Sequence, residues 1–126
     1  MLDYLSSDSA LKSSHEQQEL LAAEKAFSSG NYDEALKGYL AVAAANPRSY
    51  GAHLFAGDVY FVKGDVELAR QWFQKAIDID PNVETAYRYL GDAISKSGDE
   101  EAALPYYIKA VVAEPYSRAS WVALNS

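Results

Sequence analysis

The sequence predicts an all-α fold in which one helix pair recurs along a chain of 126 residues. Four kinds of residue recur every 34 positions, and the glycine and proline of each copy fall where a helix would end. The columns are Gly30, Gly64 and Gly98; Ala35, Ala69 and Ala103; Tyr39, Phe73 and Tyr107; and Pro47, Pro81 and Pro115. Repeated units of this length bury their apolar faces against one another, so the pattern predicts one domain, 1–126, shaped as a solenoid.

The composition narrows the classes of function. A hydrophobic content of 49% supports a packed core, and the formal charge of −7 opposes nucleic acid as a partner and favours basic proteins or peptides. No cysteine is present, which excludes disulfides and thiol catalysis. No apolar run is long enough for a signal-peptide core or a membrane span, so the expectation is no membrane insertion and, by default, a cytoplasmic location.

The first helix is expected to follow an N-terminal arm, residues 1–13, that is loosely ordered. Capping-box patterns that begin a helix occur twice at this point. One is formed by Ser13 with Glu16, and the other by Ser14 with Gln17.

The first helix pair has clear end signals. Gly30 ends the first helix near Ser28, because glycine accepts the left-handed conformation that closes a helix. Asn31 with Glu34 forms another capping box that begins the second helix. Pro47 ends that helix, since proline lacks an N–H and restricts the residue before it.

The next two copies repeat these signals. Helices are predicted at about 49–62, 66–78, 83–96 and 100–112. Asp65 and Asp99 stand in the capping position. Gly57 and Gly91 are expected where two helices of one pair approach to about 8 Å. Pro105 forfeits one backbone hydrogen bond and predicts a bend or a late helix start.

The best-formed copy resembles the tetratricopeptide repeat, whose pattern is an aromatic residue, Leu-Gly-x-x-Tyr, Ala-x-x-x-Phe and Pro. The matching residues are Gly57, Tyr60, Ala69, Phe73 and Pro81, while His53 replaces the first aromatic residue and Ala56 the leucine. The resemblance implies a right-handed superhelical solenoid of antiparallel helix pairs. The implied repeats are 16–49, 50–83 and 84–117, followed by 118–126 as a partial fourth repeat or a capping helix.

The resemblance also implies a function: a non-catalytic scaffold that binds a peptide or a partner helix in a concave groove lined by the first helix of each repeat. The groove residues it assigns are Leu20, Glu24, Phe27, Leu54, Asp58, Phe61, Val62, Arg88, Asp92 and Lys96. Three of them, Glu24, Asp58 and Asp92, hold equivalent places and form an acidic ladder that favours an amphipathic partner bearing Lys or Arg. The alternative is that these carboxylates are solvated, and that Arg88 and Lys96 neutralise Asp92.

The sequence contains few residues that indicate a catalytic, cofactor-binding or metal-binding site. His15 lies near a predicted helix start, and His53 is expected to be a packed core or rim residue. No catalytic constellation, cofactor motif or zinc spacing is visible, so the chain is predicted not to be an enzyme. Members of the family that grip the acidic end of chaperones use basic and amide groups. Their places are taken here by Leu20, Glu24, Phe55, Thr85 and Tyr89, so this chain is not expected to act in that way.

Two further functions stay open. Trp121, Val122 and Leu124 of the partial fourth repeat form an unfinished apolar face, which would allow a homo-oligomeric, self-assembling scaffold. The chain could also serve as an accessory domain of a larger enzyme or of a secretion or assembly component.

Overall fold

The described residues of the computed structural model are 2–115 and 118–124; for residues 2–13, 118 and 120 the description covers the backbone alone. Every regular element in these ranges is a helix, so the all-α prediction is confirmed. The helices are α1 (Leu2–Ser28), α2 (Tyr32–Ala45), α3 (Tyr50–Val62), α4 (Val66–Ile79), α5 (Glu84–Lys96), α6 (Glu100–Ala113) and α7 (Arg118–Leu124). None of the helices in the described part is both long and apolar enough to cross a membrane.

The helices form a linear stack of pairs. The closest packing is between α1 and α2, between α3 and α4, and between α5 and α6. The pairs are joined by contacts of α2 with α3 and of α4 with α5, while α3 also touches α5 directly. The last helix, α7, packs on α6 and reaches α5. The order of contacts follows the order of the chain, as expected for a helical repeat.

The glycine column closes one helix in each pair. Gly30, Gly64 and Gly98 have φ angles of +82°, +90° and +97°, which residues that carry a side chain rarely adopt. After Gly30, the Asn31 N–H donates to the carbonyl of Ala26 at 2.8 Å, and this bond satisfies a carbonyl that the helix leaves open. The predicted glycine end signal is confirmed.

The N-terminal caps match the sequence in two of three places. Asp65 accepts a hydrogen bond from the N–H of Leu68 at 3.3 Å, and Asp99 accepts one from Ala102 at 3.0 Å. Asn31 makes no side-chain cap, so that prediction is wrong. The helix it precedes carries Asp33 and Glu34 in its first turn, where negative charge itself stabilises the exposed N–H groups.

The predicted start of the first helix is wrong, and of the two alternatives given for Pro105, a bend or a late helix start, the late start is contradicted. The first helix begins at Leu2 rather than near residue 14, and the stretch 2–28 contains neither glycine nor proline to interrupt it. The sixth helix does not start late, because it begins at Glu100 directly after its Asp99 cap and contains Pro105 in its interior.

The core is built from the repeated columns. Ala35, Ala69 and Ala103 are fully buried, and the rings of Tyr39 and Phe73 lie beside them with 3% and 1% of their surface exposed. These small residues bring the two helices of a pair close enough for the aromatic rings to fill the remaining space.

The two helical glycines were predicted at close helix contacts, and each lies under an aromatic ring of the partner helix. A methyl group on Gly57 would stand 2.7 Å from Cδ1 of Phe73, and one on Gly91 would stand 2.7 Å from Cε1 of Tyr107. Neither position can take a side chain without displacing a ring, so close packing accounts for both glycines.

His53 makes its contacts within its own helix pair, whereas Tyr50 contacts the following pair. His53 is buried, with Nδ1 2.7 Å from the carbonyl of Ser49 and its ring 5.4 Å from that of Trp72, so the prediction of a packed histidine is confirmed. The Tyr50 hydroxyl accepts a hydrogen bond from the N–H of Ala86 at 3.1 Å. This contact caps α5 from the preceding pair, since Val83 at the start of α5 provides no side-chain cap.

Candidate functional site

The predicted groove residues of α1 differ in exposure. Glu24 is exposed, whereas Leu20 and Phe27 are half-buried. The Phe27 ring packs edge-on to that of Tyr32, with centroids 5.6 Å apart. The two apolar side chains therefore support the helix pair and present only part of their surface to solvent.

Leu54 does not lie on the groove surface. Only 4% of this residue is exposed, and it belongs to the same core cluster as Phe73. Its assignment as a contact residue is wrong, because its side chain is buried in a core cluster that also includes residues of α4, α5 and α6. Phe61 is half-buried and Val62 is 44% exposed, so these two residues carry the accessible apolar surface of α3.

The cations of α5 do not neutralise Asp92 in the way the sequence suggested. The Nε of Arg88 donates to the buried carboxylate of Glu84 at 3.1 Å, and Lys96 places its Nζ 4.8 Å from the centroid of the Phe61 ring. Asp92 instead accepts a hydrogen bond from the hydroxyl of Tyr107 at 2.7 Å. Among the described residues, neither cation forms an ion pair with Asp92.

A small pocket lies where α3 meets α5. It has a volume of about 120 Å³, and we call it the α3–α5 pocket. Its lining residues are Asp58, Phe61, Phe73, Tyr89 and Asp92. Aromatic rings therefore form most of the wall, and two carboxylates enter it from neighbouring helices.

Asp58 is one of the two carboxylates that line the pocket. It is half-buried, and within the described part of the chain its carboxylate makes no hydrogen bond and no ion pair. Burial raises the pKa of this carboxyl above its ordinary value, because the charged form loses water contacts. Burial and the charge of Asp58 likewise raise the pKa of Tyr89.

The charges of Glu24 and Asp58 also act on a tyrosine of the first helix pair. Burial, followed by the charges of Glu24 and Asp58, raises the pKa of Tyr39 to about 12. The effect shows that both carboxylates act on one hydroxyl, as expected for adjacent steps of an acidic ladder. Glu24 lies on α1, Asp58 on α3 and Asp92 on α5, and their alignment as a ladder stays a prediction.

Sequence reasoning missed Phe73, Tyr89 and Tyr107 as parts of the site. A signal was present for two of them, because Phe73 and Tyr107 belong to one of the 34-residue columns and each stands 15 positions after a ladder carboxylate. The spacing could have indicated a pairing between that column and the ladder. No such column marks Tyr89, whose role arises from the packing of α5 on α3.

The lining of the α3–α5 pocket suits a bound cation. Within the described residues, no three His, Cys, Asp or Glu side chains are grouped in a way that could hold a metal ion. A desolvated carboxylate beside aromatic rings attracts a cation, because the ring faces carry partial negative charge.

The family comparison matches the same helix pairs. The sequence profile described as tetratricopeptide repeat matches residues 20–84. A search of curated proteins finds no match.

Three solved structures share the fold. The Arabidopsis OM64 TPR domain is 19% identical, with a TM-score of 0.81 over 87% of this chain and 91% of that one. The first TPR of Spaghetti (RPAP3), bound to the HSP90 peptide SRMEEVD, is 22% identical, with a TM-score of 0.81 over 87% of both chains. The Sgt2 TPR domain from Aspergillus fumigatus is 22% identical, with a TM-score of 0.83 over 88% of this chain and 75% of that one. The profile spans more than half of the sequence, and the chain belongs to the tetratricopeptide repeat family.

Proposed function

We propose that this protein is a non-catalytic interaction scaffold whose concave groove binds a peptide or partner helix that carries a basic residue. The observation that carries the proposal is Asp58, a half-buried carboxylate that has no partner among the described residues and stands beside aromatic rings. A charge held in such a place costs stability, and a cation from a partner would recover that cost.

Apolar groups flank this carboxylate on the same side of the stack. Phe61 is half-buried, while Phe55 and Val62 are 41% and 44% exposed. An amphipathic segment would bury its apolar residues on this surface and direct its basic residue to Asp58. The overall charge of −7 would assist by attracting basic partners from solution.

The peptide bound to the Spaghetti domain supports a peptide in the groove but suggests the opposite charge. That peptide ends in acidic residues, whereas the groove of this chain carries Glu24 and Asp58. An acidic peptide would be repelled there, so the partner proposed here is basic.

A selection from a random peptide library displayed on phage tests this proposal. The wild-type protein should enrich peptides with Lys or Arg among apolar residues, and Asp58→Lys should abolish that enrichment, because it reverses the charge at the centre of the groove. The matched control is Asp78→Lys, which makes the same charge change at an exposed position of α4, outside the groove. This control should keep the wild-type preference.

Two results would count against a basic partner in this groove. One is a wild-type selection with no excess of basic residues. The other is an equal loss of enrichment in both variants, which would indicate attraction by overall charge rather than by Asp58.

Self-association is a second candidate, and an exposed apolar stripe on α6 favours it. Leu104, Ile108 and Val112 follow one another at intervals of four residues and are 46%, 46% and 73% exposed. Contiguous apolar surface of this kind marks a contact site in many soluble proteins. The groove and the stripe lie on different helices. A chain that serves as an accessory domain in a larger enzyme or assembly could therefore use both surfaces for contacts.

A further inference from the structure

We propose that the α3–α5 pocket binds the primary ammonium group of a lysine side chain supplied by the partner, with Asp58 as the hydrogen-bond acceptor. The inference rests on the proposed function, because it assigns one residue type of the basic partner to one pocket of the groove.

The repeat itself shows what Asp58 lacks. Asp92 stands 34 residues later in the same register, and the hydroxyl of Tyr107 donates to it at 2.7 Å. In the pair that contains Asp58, the residue equivalent to Tyr107 is Phe73, which has no hydroxyl. Asp58 is therefore left without the donor that its counterpart receives, and both Asp58 and Phe73 line the pocket.

The two rings occupy equivalent positions, which makes the comparison direct. Each ring lies over a helical glycine, and the nearest ring atom is 2.7 Å from the methyl group that Gly57 or Gly91 would carry. A hydroxyl added to Phe73 is expected to point at Asp58 as that of Tyr107 points at Asp92. The Tyr107–Asp92 pair therefore indicates that Phe73→Tyr would close the pocket.

Two of the aromatic rings that line the pocket already have a cation of this chain over them. Lys96 places its ammonium 4.8 Å from the Phe61 centroid, and the guanidinium carbon of Arg88 lies 5.1 Å from the centroid of Tyr89. Neither cation forms an ion pair with Asp58 within the described residues. These rings therefore stabilise positive charge in this groove while the pocket carboxylate stays available to a partner.

The size and polarity of the pocket favour ammonium over other cations. A volume of about 120 Å³ corresponds to roughly four water molecules, which suits a compact ammonium group and part of its alkyl stem. A quaternary ammonium could not donate a hydrogen bond to Asp58. A guanidinium gains most from a carboxylate that meets its flat, wide edge with both oxygens.

Titration with n-butylammonium chloride at constant ionic strength, followed by NMR, tests the pocket without knowledge of the partner. Saturable shifts are expected at the Asp58 carboxyl carbon and at the ring protons of Phe61 and Tyr89. Phe73→Tyr and Asp58→Asn should each weaken this binding about tenfold or more, since one supplies an internal donor and the other removes the charge. Asp78→Asn, which changes an exposed residue of α4, should leave it unchanged.

The outcomes separate this inference from the proposed function. Absence of a saturable shift at Asp58, or an unchanged affinity in Phe73→Tyr with native circular dichroism, would overturn the ammonium pocket. So would tighter binding of n-propylguanidinium than of n-butylammonium at the same residues. If Phe73→Tyr fails to fold, Asp58→Asn carries the same decision.

The groove would still stand as a peptide site if the library selection enriched basic peptides that bind Phe73→Tyr as well as wild type. Failure of that selection together with saturable butylammonium binding would instead leave the pocket and remove the peptide function.

Discussion

At the scale of the residue, the carboxylate of Asp58 lowers the stability of the free protein and is available to bind a ligand. Two of the ladder carboxylates have relief that Asp58 lacks, because Glu24 is exposed to water and Asp92 receives the Tyr107 hydroxyl. The charge of Asp58 is held partly out of water without a donor from the described residues. Proteins commonly keep such groups where a ligand satisfies them.

Asp58→Asn is therefore expected to stabilise the free protein at neutral pH, by on the order of 0.5 kcal/mol, since partial exposure keeps the effect small. The folded-state pKa of Asp58 lies above the unfolded value of about 3.9, so the folded state holds the proton more tightly. The penalty is absent below the unfolded pKa, grows as pH rises towards the folded pKa, and is complete above it. Urea unfolding of both proteins across this pH range measures the difference.

Asp78→Asn is the matched control, because it removes the same charge at an exposed position. It should not reproduce the pH-dependent gain. A stability gain in Asp58→Asn that is equal at low and neutral pH would contradict the burial of this charge.

At the scale of the element, the sequence predicted helix ends and close contacts well where one residue type decides the local geometry. Glycine at positive φ follows from a backbone rule, and a helical glycine at a close helix contact follows from a steric rule. The sequence predicted the helix caps less well. Asn31 could cap its helix and does not, and the cap that Tyr50 provides for α5 was missed. A contact between residues 36 positions apart depends on how the pairs stack, which periodicity does not specify.

Two glycines of the same helix provide a test of close packing. Gly57→Ala should destabilise the protein by about 1–3 kcal/mol, because the new methyl group would meet the Phe73 ring at 2.7 Å. Gly51→Ala should be neutral or stabilising by up to about 1 kcal/mol, since its nearest neighbour would be the Phe55 side chain at 3.8 Å. Denaturant unfolding with unchanged m-values measures both. Equal effects of the two substitutions would show that helix propensity, rather than the ring, decides the cost.

At the scale of the whole molecule, repeat periodicity predicted the architecture, but it could not predict which residues stay accessible. Leu54 shares its helix face with Asp58 and Phe61, yet it is core, because it is buried in a cluster built from several helices. Accessibility depends on the curvature of the stack and on the tilt of each helix, and these are properties of several pairs together. The α6 stripe was missed for the same reason, since the sequence directed attention to Trp121 and its neighbours.

The α6 stripe carries the last prediction, which concerns association of whole molecules. We expect reversible, concentration-dependent self-association in sedimentation velocity, because apolar side chains on successive turns of one helix form a continuous exposed strip. Ile108→Lys places a charge at the centre of the strip and should abolish association while leaving the helical circular dichroism unchanged. Leu21→Lys is the matched control, since Leu21 is a 64% exposed leucine on α1, away from α6. A wild-type protein that stays monomeric at the highest concentration, or an Ile108→Lys variant that associates as wild type does, would remove self-assembly as a function and leave the groove as the interaction surface.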